Sequence, residues 1–356
     1  MANWFKRLVA LGAIAWLCVS CSSLAGLDYN PWEQVELPTQ NSLLDITFSD
    51  DGETGWMVGK DSTILTSKDG GDSWDSLNLD LGELPYNLFS VDFYGDEGWI
   101  VGKPSLMLHT TDGGEHWSEI PLSAKLPGNP LKVVAVGPNK AEMATDIGAI
   151  YRTRDGGRNW KAAVEGAVGV VRSLNRFTPN GSYVSVSAKG NYYSTWSPGQ
   201  QTWQPINRNS SRRLESMGFT PEGKLWMIER GGQLQFSDPE NEGEWLEPIN
   251  PEYETSWGFL DLTYRTDDEL WLAGGSGNLL VSFDGGDTWQ KDRAAEDIPS
   301  NLYQVRFFSP EKGFILGQDG IVLRYNAAIA AAGAAEAQAA LEAAETADVE
   351  EAPAVS

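Results

Sequence analysis

The nine residues TSKDGGDSW, Thr66 to Trp74, combine two acids, two glycines and a tryptophan, residue types that can form a chemical site. Asp69 could act as a catalytic carboxylate, a metal ligand or part of a phosphate-binding loop. A calcium loop needs several oxygen ligands at alternating positions, and a phosphate-binding loop needs a lysine–serine pair that opens a helix. This stretch has neither pattern. We interpret it as a structural turn, the DGG turn, in which glycines supply positive φ and Asp69 bonds nearby backbone groups.

The DGG turn recurs along the chain. Further copies read TTDGGEHW, TRDGGRNW and SFDGGDTW, and they contain Asp112, Asp155 and Asp284. The closing tryptophans of these copies and of two decayed ones are 42 to 44 residues apart: Trp74, Trp117, Trp160, Trp203, Trp245 and Trp289. The motif matches the Asp-box of sialidases and many other propellers. A glycosidase needs two carboxylates facing each other across a cleft, which turns spread around a ring do not supply. We therefore assign the four aspartates a structural role.

Each repeat contains the same series of short apolar segments. In the first copy these are LLDITF (Leu43–Phe48), GWMVG (Gly55–Gly59) and TILTS (Thr63–Ser67), followed by the turn and a strand at the tryptophan. Four short strands per repeat predict a propeller blade. The segment around Trp32 is a last strand without a blade, and residues 303–324 are three strands without a last one. We predict an all-β, seven-bladed β-propeller over residues 32–326, closed by an N-terminal strand that completes the last blade.

The two ends of the chain differ from the repeats. Lys6 and Arg7 precede an apolar run of ten residues, which predicts a signal peptide over residues 1–20. Cys21 follows Ser20 as in a bacterial lipobox, so we expect a lipid anchor at Cys21 and a linker over residues 21–31. Ordinary signal cleavage near Ser20 or Ala25 is the alternative. Residues 327–356 are alanine-rich and acidic, which indicates a disordered or partly helical tail without an apolar docking face.

An enzyme is a weaker interpretation. Asp45 and Asp261 occupy equivalent positions in first strands and could line the central channel as an acid–base pair. Polar lining of a solvated channel explains them equally, and the arginine-led segment that precedes the first blade of sialidases is missing. His109 and His116 flank one DGG turn, but no histidine cluster or cysteine supports a metal site. We expect no catalysis, no metal and no cofactor.

The distribution of charge is uneven. The chain has 26 basic and 50 acidic residues, a net charge of −24, which disfavours nucleic acid as a partner. Between Arg172 and Arg230, however, eight basic residues face only three acids. Strand order places six of them on the face opposite the DGG turns, and Arg176 and Lys224 nearer the DGG face. We expect this sector of blades four and five to bind an acidic polypeptide.

Together these features resemble a known family. The lipobox, the propeller with repeated GW-x-VG strands, RSLNRF (Arg172–Phe177) and NRNSSRRLESMGF (Asn207–Phe219) are similar to the photosystem II assembly and stability factor of cyanobacteria and plastids. The resemblance implies a non-enzymatic chaperone in the thylakoid lumen, attached to the thylakoid membrane through Cys21. It also implies binding of the newly made reaction-centre core polypeptide and early assembly complexes.

The predicted client-binding residues come from the charge pattern and from the resemblance. They are Arg172, Arg176, Lys189, Arg208, Arg212, Arg213 and Arg230. We expect the protein to act as a monomer. Two other classes stay open from the residues alone: a secreted Asp-box glycoside hydrolase, and a carbohydrate-binding propeller. The hydrolase would depend on Asp45 or Asp261, and the carbohydrate-binding propeller would bind glycans without photosystem clients.

Overall fold

The computed structural model of the chain describes residues 24–241, 243–251 and 258–350. The predicted signal peptide and Cys21 lie outside this part. The strands are, in chain order, β1 (Ala25–Gly26), β2 (Trp32–Gln34), β3 (Leu43–Phe48), β4 (Gly55–Gly59), β5 (Ile64–Ser67), β6 (Asp75–Ser76), β7 (Asn87–Tyr94), β8 (Glu97–Lys103), β9 (Leu106–Thr110), β10 (Ser118–Glu119), β11 (Pro130–Gly137), β12 (Lys140–Thr145), β13 (Ile150–Thr153), β14 (Lys161–Ala162), β15 (Val171–Phe177), β16 (Ser182–Ser187), β17 (Tyr192–Trp196), β18 (Gln204–Asn207), β19 (Leu214–Phe219), β20 (Leu225–Glu229), β21 (Leu234–Phe236), β22 (Phe259–Tyr264), β23 (Leu270–Gly274), β24 (Leu279–Ser282), β25 (Gln290–Lys291), β26 (Leu302–Ser309), β27 (Lys312–Gly317) and β28 (Val322–Tyr325). A short 3₁₀ helix (Ala295–Asp297) precedes the last blade, and helix α1 (Ala327–Glu350) follows it.

These strands form seven sheets, one per blade, in which consecutive strands of a blade pair antiparallel, so the predicted seven-bladed propeller is confirmed. Blades one to four are the sheets β3–β6, β7–β10, β11–β14 and β15–β18, and blade five is β19–β21. In blade seven the N-terminal strand β2 pairs with β28, with Trp32 opposite Tyr325. The predicted closing strand is therefore present, and the ring has no open seam between its first and last blades.

The second strand of each blade is buried on both faces because neighbouring blades pack against it. All five residues of β4, GWMVG, are buried. Its Trp56 stacks on Phe93 of blade two, with ring centroids 3.7 Å apart. The glycine before the tryptophan leaves room within its own sheet: a Cβ on Gly98 of β8 would lie 2.3 Å from the ring of Phe93, which is opposite it on the neighbouring strand. In the recurring Gly–Trp pair, the tryptophan packs against the next blade and the glycine leaves room for an aromatic ring of the neighbouring strand.

The DGG turn has the predicted structural role. Asp69 accepts hydrogen bonds from the Ser67 hydroxyl at 2.8 Å and the Ser73 backbone N–H at 2.9 Å, and Trp74 Nε1 donates to Gly71 O at 3.2 Å. Gly70 and Gly71 have φ of 73° and 96°, values that favour glycine. These donors lower the pKa of Asp69 to about 2, with the Ser73 hydroxyl as the largest cause. The carboxylate is therefore occupied by its own turn.

The other three complete turns repeat this geometry. The backbone N–H four residues downstream donates to Asp112, Asp155 and Asp284 at 2.9, 2.9 and 2.8 Å. His116 Nδ1–H also donates to the Asp112 carboxylate at 2.7 Å, and Asp112, Glu115 and His116 form an exposed group. Because Asp112 already closes its turn, we assign this group no metal. The expectation that the protein binds no metal stays a prediction.

Blades five and six depart from the predicted repeat. In the described part of blade five the outer edge is reduced to isolated bridges, of which one joins Ser237 to Trp245. Blade six gains a fifth strand, because β1 pairs parallel to β25 with Gly26 opposite Lys291. Part of the predicted linker over residues 21–31 is therefore sheet. Pairing at a sheet edge uses backbone groups alone, so the pattern of side chains in the sequence does not predict this strand.

Helix α1 packs against the ring at its start. Ala330 is buried, and a Cβ on Gly333 would lie 2.2 Å from the Tyr29 ring. Asn326 Oδ1 accepts the N–H of Ala328 at 3.1 Å, which caps the first turn. The prediction that this segment has no docking face is wrong for its first two turns, since small alanine and glycine side chains let the backbone reach Tyr29. Among the helices that the structure describes, none is long and apolar enough to cross a bilayer.

Candidate polypeptide-binding face

Six of the predicted client-binding residues lie at the blade four–five junction, on the face opposite the DGG turns. We call Arg172, Lys189, Arg208, Arg212, Arg213 and Arg230 the basic cluster. They come from the start of β15, the β16–β17 turn, the loop between β18 and β19, and the residue after β20. Backbone hydrogen bonds hold these segments together: Leu214 N–H donates to Gly190 O, and Arg230 N–H donates to Arg213 O, both at 2.8 Å. These bonds bring the six positions together at one junction, and their role in client binding stays a prediction.

Glu215 organises the inner part of the cluster. Its two carboxylate oxygens lie 2.5 Å from Arg172 Nη1 and 3.3 Å from Arg230 Nε. Arg172 and Glu215 also line a cavity of about 380 Å³ at the mouth of the central channel. Arg230 keeps 56% of its side chain exposed, so most of its guanidinium remains open to a partner.

Arg208 differs from its neighbours because it is buried. Only 8% of its side chain and 2% of the Glu229 side chain are exposed, and the two form a close ion pair. Arg208 Nη1 also donates to Arg212 O at 2.8 Å, which fixes the loop that carries Arg212 and Arg213. Arg208 is therefore placed to support the cluster and not to contact a partner.

The outer part of the cluster is exposed. Lys189, Arg212 and Arg213 are all exposed, and within the described residues Lys189 and Arg213 form no ion pair. Six basic side chains against Glu215 and Glu229 leave a local net charge of +4 in an acidic protein. Two apolar side chains flank it, Val170 at 63% and Ile206 at 37% exposure. Charge with adjacent apolar surface is typical of a polypeptide-binding site. Sequence reasoning missed both apolar residues, since each continues an ordinary strand pattern.

Arg176 lies apart from the other six. It is near the end of β15, where its Nε is 2.8 Å from Glu142 of blade three. This places it toward the DGG face, beside Arg152. The structure therefore does not bring Arg176 together with the basic cluster, although the resemblance assigns it to the same binding residues.

Comparisons with known proteins agree with this architecture. The family model described as "Photosynthesis system II assembly factor YCF48" matches residues 24–326. The chain belongs to the Ycf48 family. A photosystem II assembly lipoprotein of Trichormus variabilis is 57% identical over 323 residues, which cover 91% of this chain and 94% of the relative.

Two solved structures of the family also resemble the chain. One, described as "YCF48 bound to D1 peptide", is 54% identical with a TM-score of 0.83, covering 85% of this chain and 99% of that one. The other, YCF48 from Cyanidioschyzon merolae, is 37% identical with a TM-score of 0.78, covering 83% and 99%. Both support the propeller fold and the membership in this family of photosystem II assembly factors.

In this family member the two candidate catalytic acids join neighbouring blades. Asp45 accepts the Val91 N–H at 3.1 Å and the Ser90 hydroxyl at 2.8 Å, and it pairs with Arg306 at 3.1 Å. Asp261 accepts the Val305 N–H at 3.0 Å. In both cases the carboxylate bonds the innermost strand of the next blade. This geometry favours the channel-lining interpretation over an acid–base pair.

Burial raises the pKa of Asp261 to about 7, and the Val305 N–H opposes this shift only in part. The folded pKa exceeds the unfolded value of 3.8, so the stabilisation from the protonated carboxyl is complete below about pH 4 and lost by about pH 7. Asp261→Asn keeps the acceptor for Val305 and removes the charge. Since Asp261 is partly exposed to the channel, we expect a gain of only about 1 kcal/mol at pH 8 and none at pH 4.

Urea unfolding of wild type and Asp261→Asn at pH 4 and pH 8 measures the difference in their free energies of unfolding. The other carboxylates are the same in both proteins, so their titration does not contribute to this difference. Asp261→Leu, which lacks the acceptor, is the control and should be less stable than Asp261→Asn at both pH values. A constant difference between wild type and Asp261→Asn across the pH range would contradict the assignment.

Proposed function

We propose that this chain is a non-enzymatic photosystem II assembly factor that binds the newly made reaction-centre polypeptide through the basic cluster of blades four and five. The exposed, locally cationic face beside Val170 and Ile206 carries this proposal. Arginine forms bidentate hydrogen bonds with carboxylates, so the cluster suits an acidic segment that also has apolar side chains. The relative that was solved with a D1 peptide supports a polypeptide of the reaction centre as the client.

We infer that the propeller is attached to the thylakoid membrane, on its lumenal side, through a lipid on Cys21. Several relatives are named lipoproteins, which supports this anchor. Leu24, three residues after Cys21, already contacts the ring, since its carbonyl accepts Arg293 Nη2 at 3.0 Å. Three residues span roughly 10 Å when extended, so the tether would hold blade six close to the bilayer.

A pull-down from thylakoid membranes tests the client assignment. We expect the wild-type chain to recover reaction-centre polypeptides, and Arg213→Glu/Arg230→Glu to lose at least about tenfold, because both exposed guanidinium groups become repulsive toward an acidic client. Lys68→Glu/Lys224→Glu is the matched control. It makes the same change in net charge at exposed positions near the DGG face and should recover the client normally.

Two results would contradict the proposal. Equal recovery by both double variants would show that the basic cluster is not the binding site. Failure of the wild-type chain to recover reaction-centre polypeptides would show that they are not its client. Binding of labelled glycans by the wild-type chain would instead favour a carbohydrate-binding propeller.

A further inference from the structure

The junction between blades three and four breaks the packing rule of the ring. The second strand of each other blade places an aromatic side chain at one position, and the six are Trp56, Trp99, Tyr183, Trp226, Trp271 and Phe314. Blade three has Glu142 there, and its side chain is 1% exposed. A buried carboxylate in place of a packed ring is unfavourable for stability unless it is fully paired. Such a local exception often marks a functional position.

The neighbouring blade has a matching exception. In complete DGG turns a serine or threonine lies seven residues before the closing tryptophan, and in blade four this position is Trp196. Trp196 is 1% exposed, and its Nε1 donates to Gln200 O at 3.0 Å. Arg152 lies over its ring, 5.4 Å from the centroid. The decayed turn of blade four is therefore rebuilt around an arginine of blade three.

Glu142 accepts a hydrogen bond from the Nε of each of two arginines. Its carboxylate oxygens lie 2.5 Å from Arg152 Nε and 2.8 Å from Arg176 Nε, and Tyr183 OH donates to it at 2.8 Å. No hydrogen bond from the Nη groups of Arg152 or Arg176 is formed within the described residues. Each guanidinium thus keeps its terminal N–H donors available while its orientation is fixed through Nε.

These donors face a cationic cavity. Lys140, Arg152, Arg154 and Arg176 line a space of about 390 Å³ together with Glu142 and Val136. Four cations against one carboxylate leave a net charge of +3 at this cavity. Lys140 and Arg154 are exposed and form no ion pair among the described residues, whereas Arg176 is only 10% exposed and partly lines the recess. Arg152 is 36% exposed, so the site combines one largely buried and one half-exposed guanidinium, both oriented by Glu142, with an exposed cationic rim.

A longer groove adjoins this cavity. It has a volume of about 670 Å³, shares Arg152 and Arg154 with the cavity, and is walled by Trp196 and Val164. Lys161 adds a further cation, and of the two acids in the lining Asp155 is occupied by the DGG turn of blade three while Glu165 is exposed. The groove can therefore accommodate a chain that extends beyond a single anionic group.

We propose that Arg152 and Arg176, positioned by Glu142, form a second polypeptide-binding site that takes a carboxylate of an acidic peptide, separate from the basic cluster. A peptide fits better than a lipid surface because the donors are recessed and apolar walls continue beside them. This site extends the proposed function, since one client could be held at two points of the ring, and it does not depend on which client binds the basic cluster.

The test uses hexaglutamate, acetylated and amidated at its ends, titrated calorimetrically at low salt into the full chain. Arg213→Glu/Arg230→Glu first weakens the basic cluster, and this variant should still bind the peptide. Adding Lys140→Glu/Arg154→Glu should lower the remaining affinity at least about tenfold. Adding Lys68→Glu/Lys224→Glu instead changes the net charge equally elsewhere and should change the affinity less than about threefold.

A second variant tests the oriented donors directly. Arg152→Lys preserves the charge but removes the planar fork, so in the same background we expect an affinity loss of about three- to tenfold with cooperative unfolding retained. Loss of all binding in Arg213→Glu/Arg230→Glu, or equal affinity after adding Lys140→Glu/Arg154→Glu, would overturn the second site. Neither result concerns recovery of reaction-centre polypeptides, so the proposed function is tested separately.

Discussion

Arg208→Ala is expected to lower the free energy of unfolding by about 3–5 kcal/mol, although Arg208 belongs to a cluster that is otherwise suited to binding. Its partner Glu229 is 2% exposed, and one oxygen of that carboxylate has no hydrogen-bond partner. Removal of Arg208 leaves a buried charge whose nearest described cation is Arg212 Nε at 4.0 Å. Breaking one side of a buried ion pair typically has this effect, because the remaining charge is not solvated.

Chemical unfolding of three variants measures the effect. Arg213→Ala removes an exposed arginine from the same loop and should change stability by no more than about 0.5 kcal/mol. Arg208→Ala/Glu229→Gln should recover much of the loss, since the unpaired charge is gone. If Arg208→Ala is as stable as Arg213→Ala, the ion pair does not support the loop, and Arg208 becomes a candidate for direct client contact.

The difference between Arg208 and Arg213 shows what the sequence alone could not predict. Both occur in the arginine-rich stretch that contributes to the family resemblance, and both have the same charge and reach. Their roles separate only because Glu229, at the end of β20, lies close to one of them. Burial of a long side chain depends on partners from other segments, which neither composition nor spacing specifies.

The ring itself was predictable because its repeats are sequential. Each blade is built from one stretch of chain, so the spacing of Trp74 and its equivalents predicts the number of blades, and Trp32 predicts the closure. The pairing of Ala25–Gly26 with blade six joins segments that are distant in sequence through backbone bonds only. It could not be anticipated from side-chain patterns.

The decayed turns also have a more specific meaning in the structure. From the sequence alone, blade four has a decayed DGG turn, which ends at Trp203, and arginines that are predicted to lie on the opposite face. The structure shows that this turn borders a separate set of cations on its own side, because Trp196 takes the hydroxyl position and packs beside Arg152. Trp196 in blade four and Glu142 in blade three each replace the residue type found at that position in other blades, and both contact Arg152.

Trp32→Ala is expected to have a second large effect, at the closure of the ring. Trp32 is 4% exposed and packs against Trp271 and Tyr325, with ring centroids 5.2 Å away in both cases. Loss of a buried aromatic side chain lowers stability by about 3–5 kcal/mol. Because β2 has only three residues, we also expect it to detach from β28 and leave that strand as an open edge.

The open edge of β28 distinguishes Trp32→Ala from a variant that only loses packing. Trp74→Ala is the matched control: Trp74 is 5% exposed and closes a DGG turn within one continuous blade. Both variants should unfold at lower denaturant concentration. Only Trp32→Ala should show faster amide hydrogen exchange in Val322–Tyr325 and concentration-dependent oligomers by light scattering, since its unpaired strand can accept a strand from another copy. Equal exchange in the two variants would mean that Trp32 contributes packing alone, and that the ring stays closed through the backbone pairing of β2 with β28.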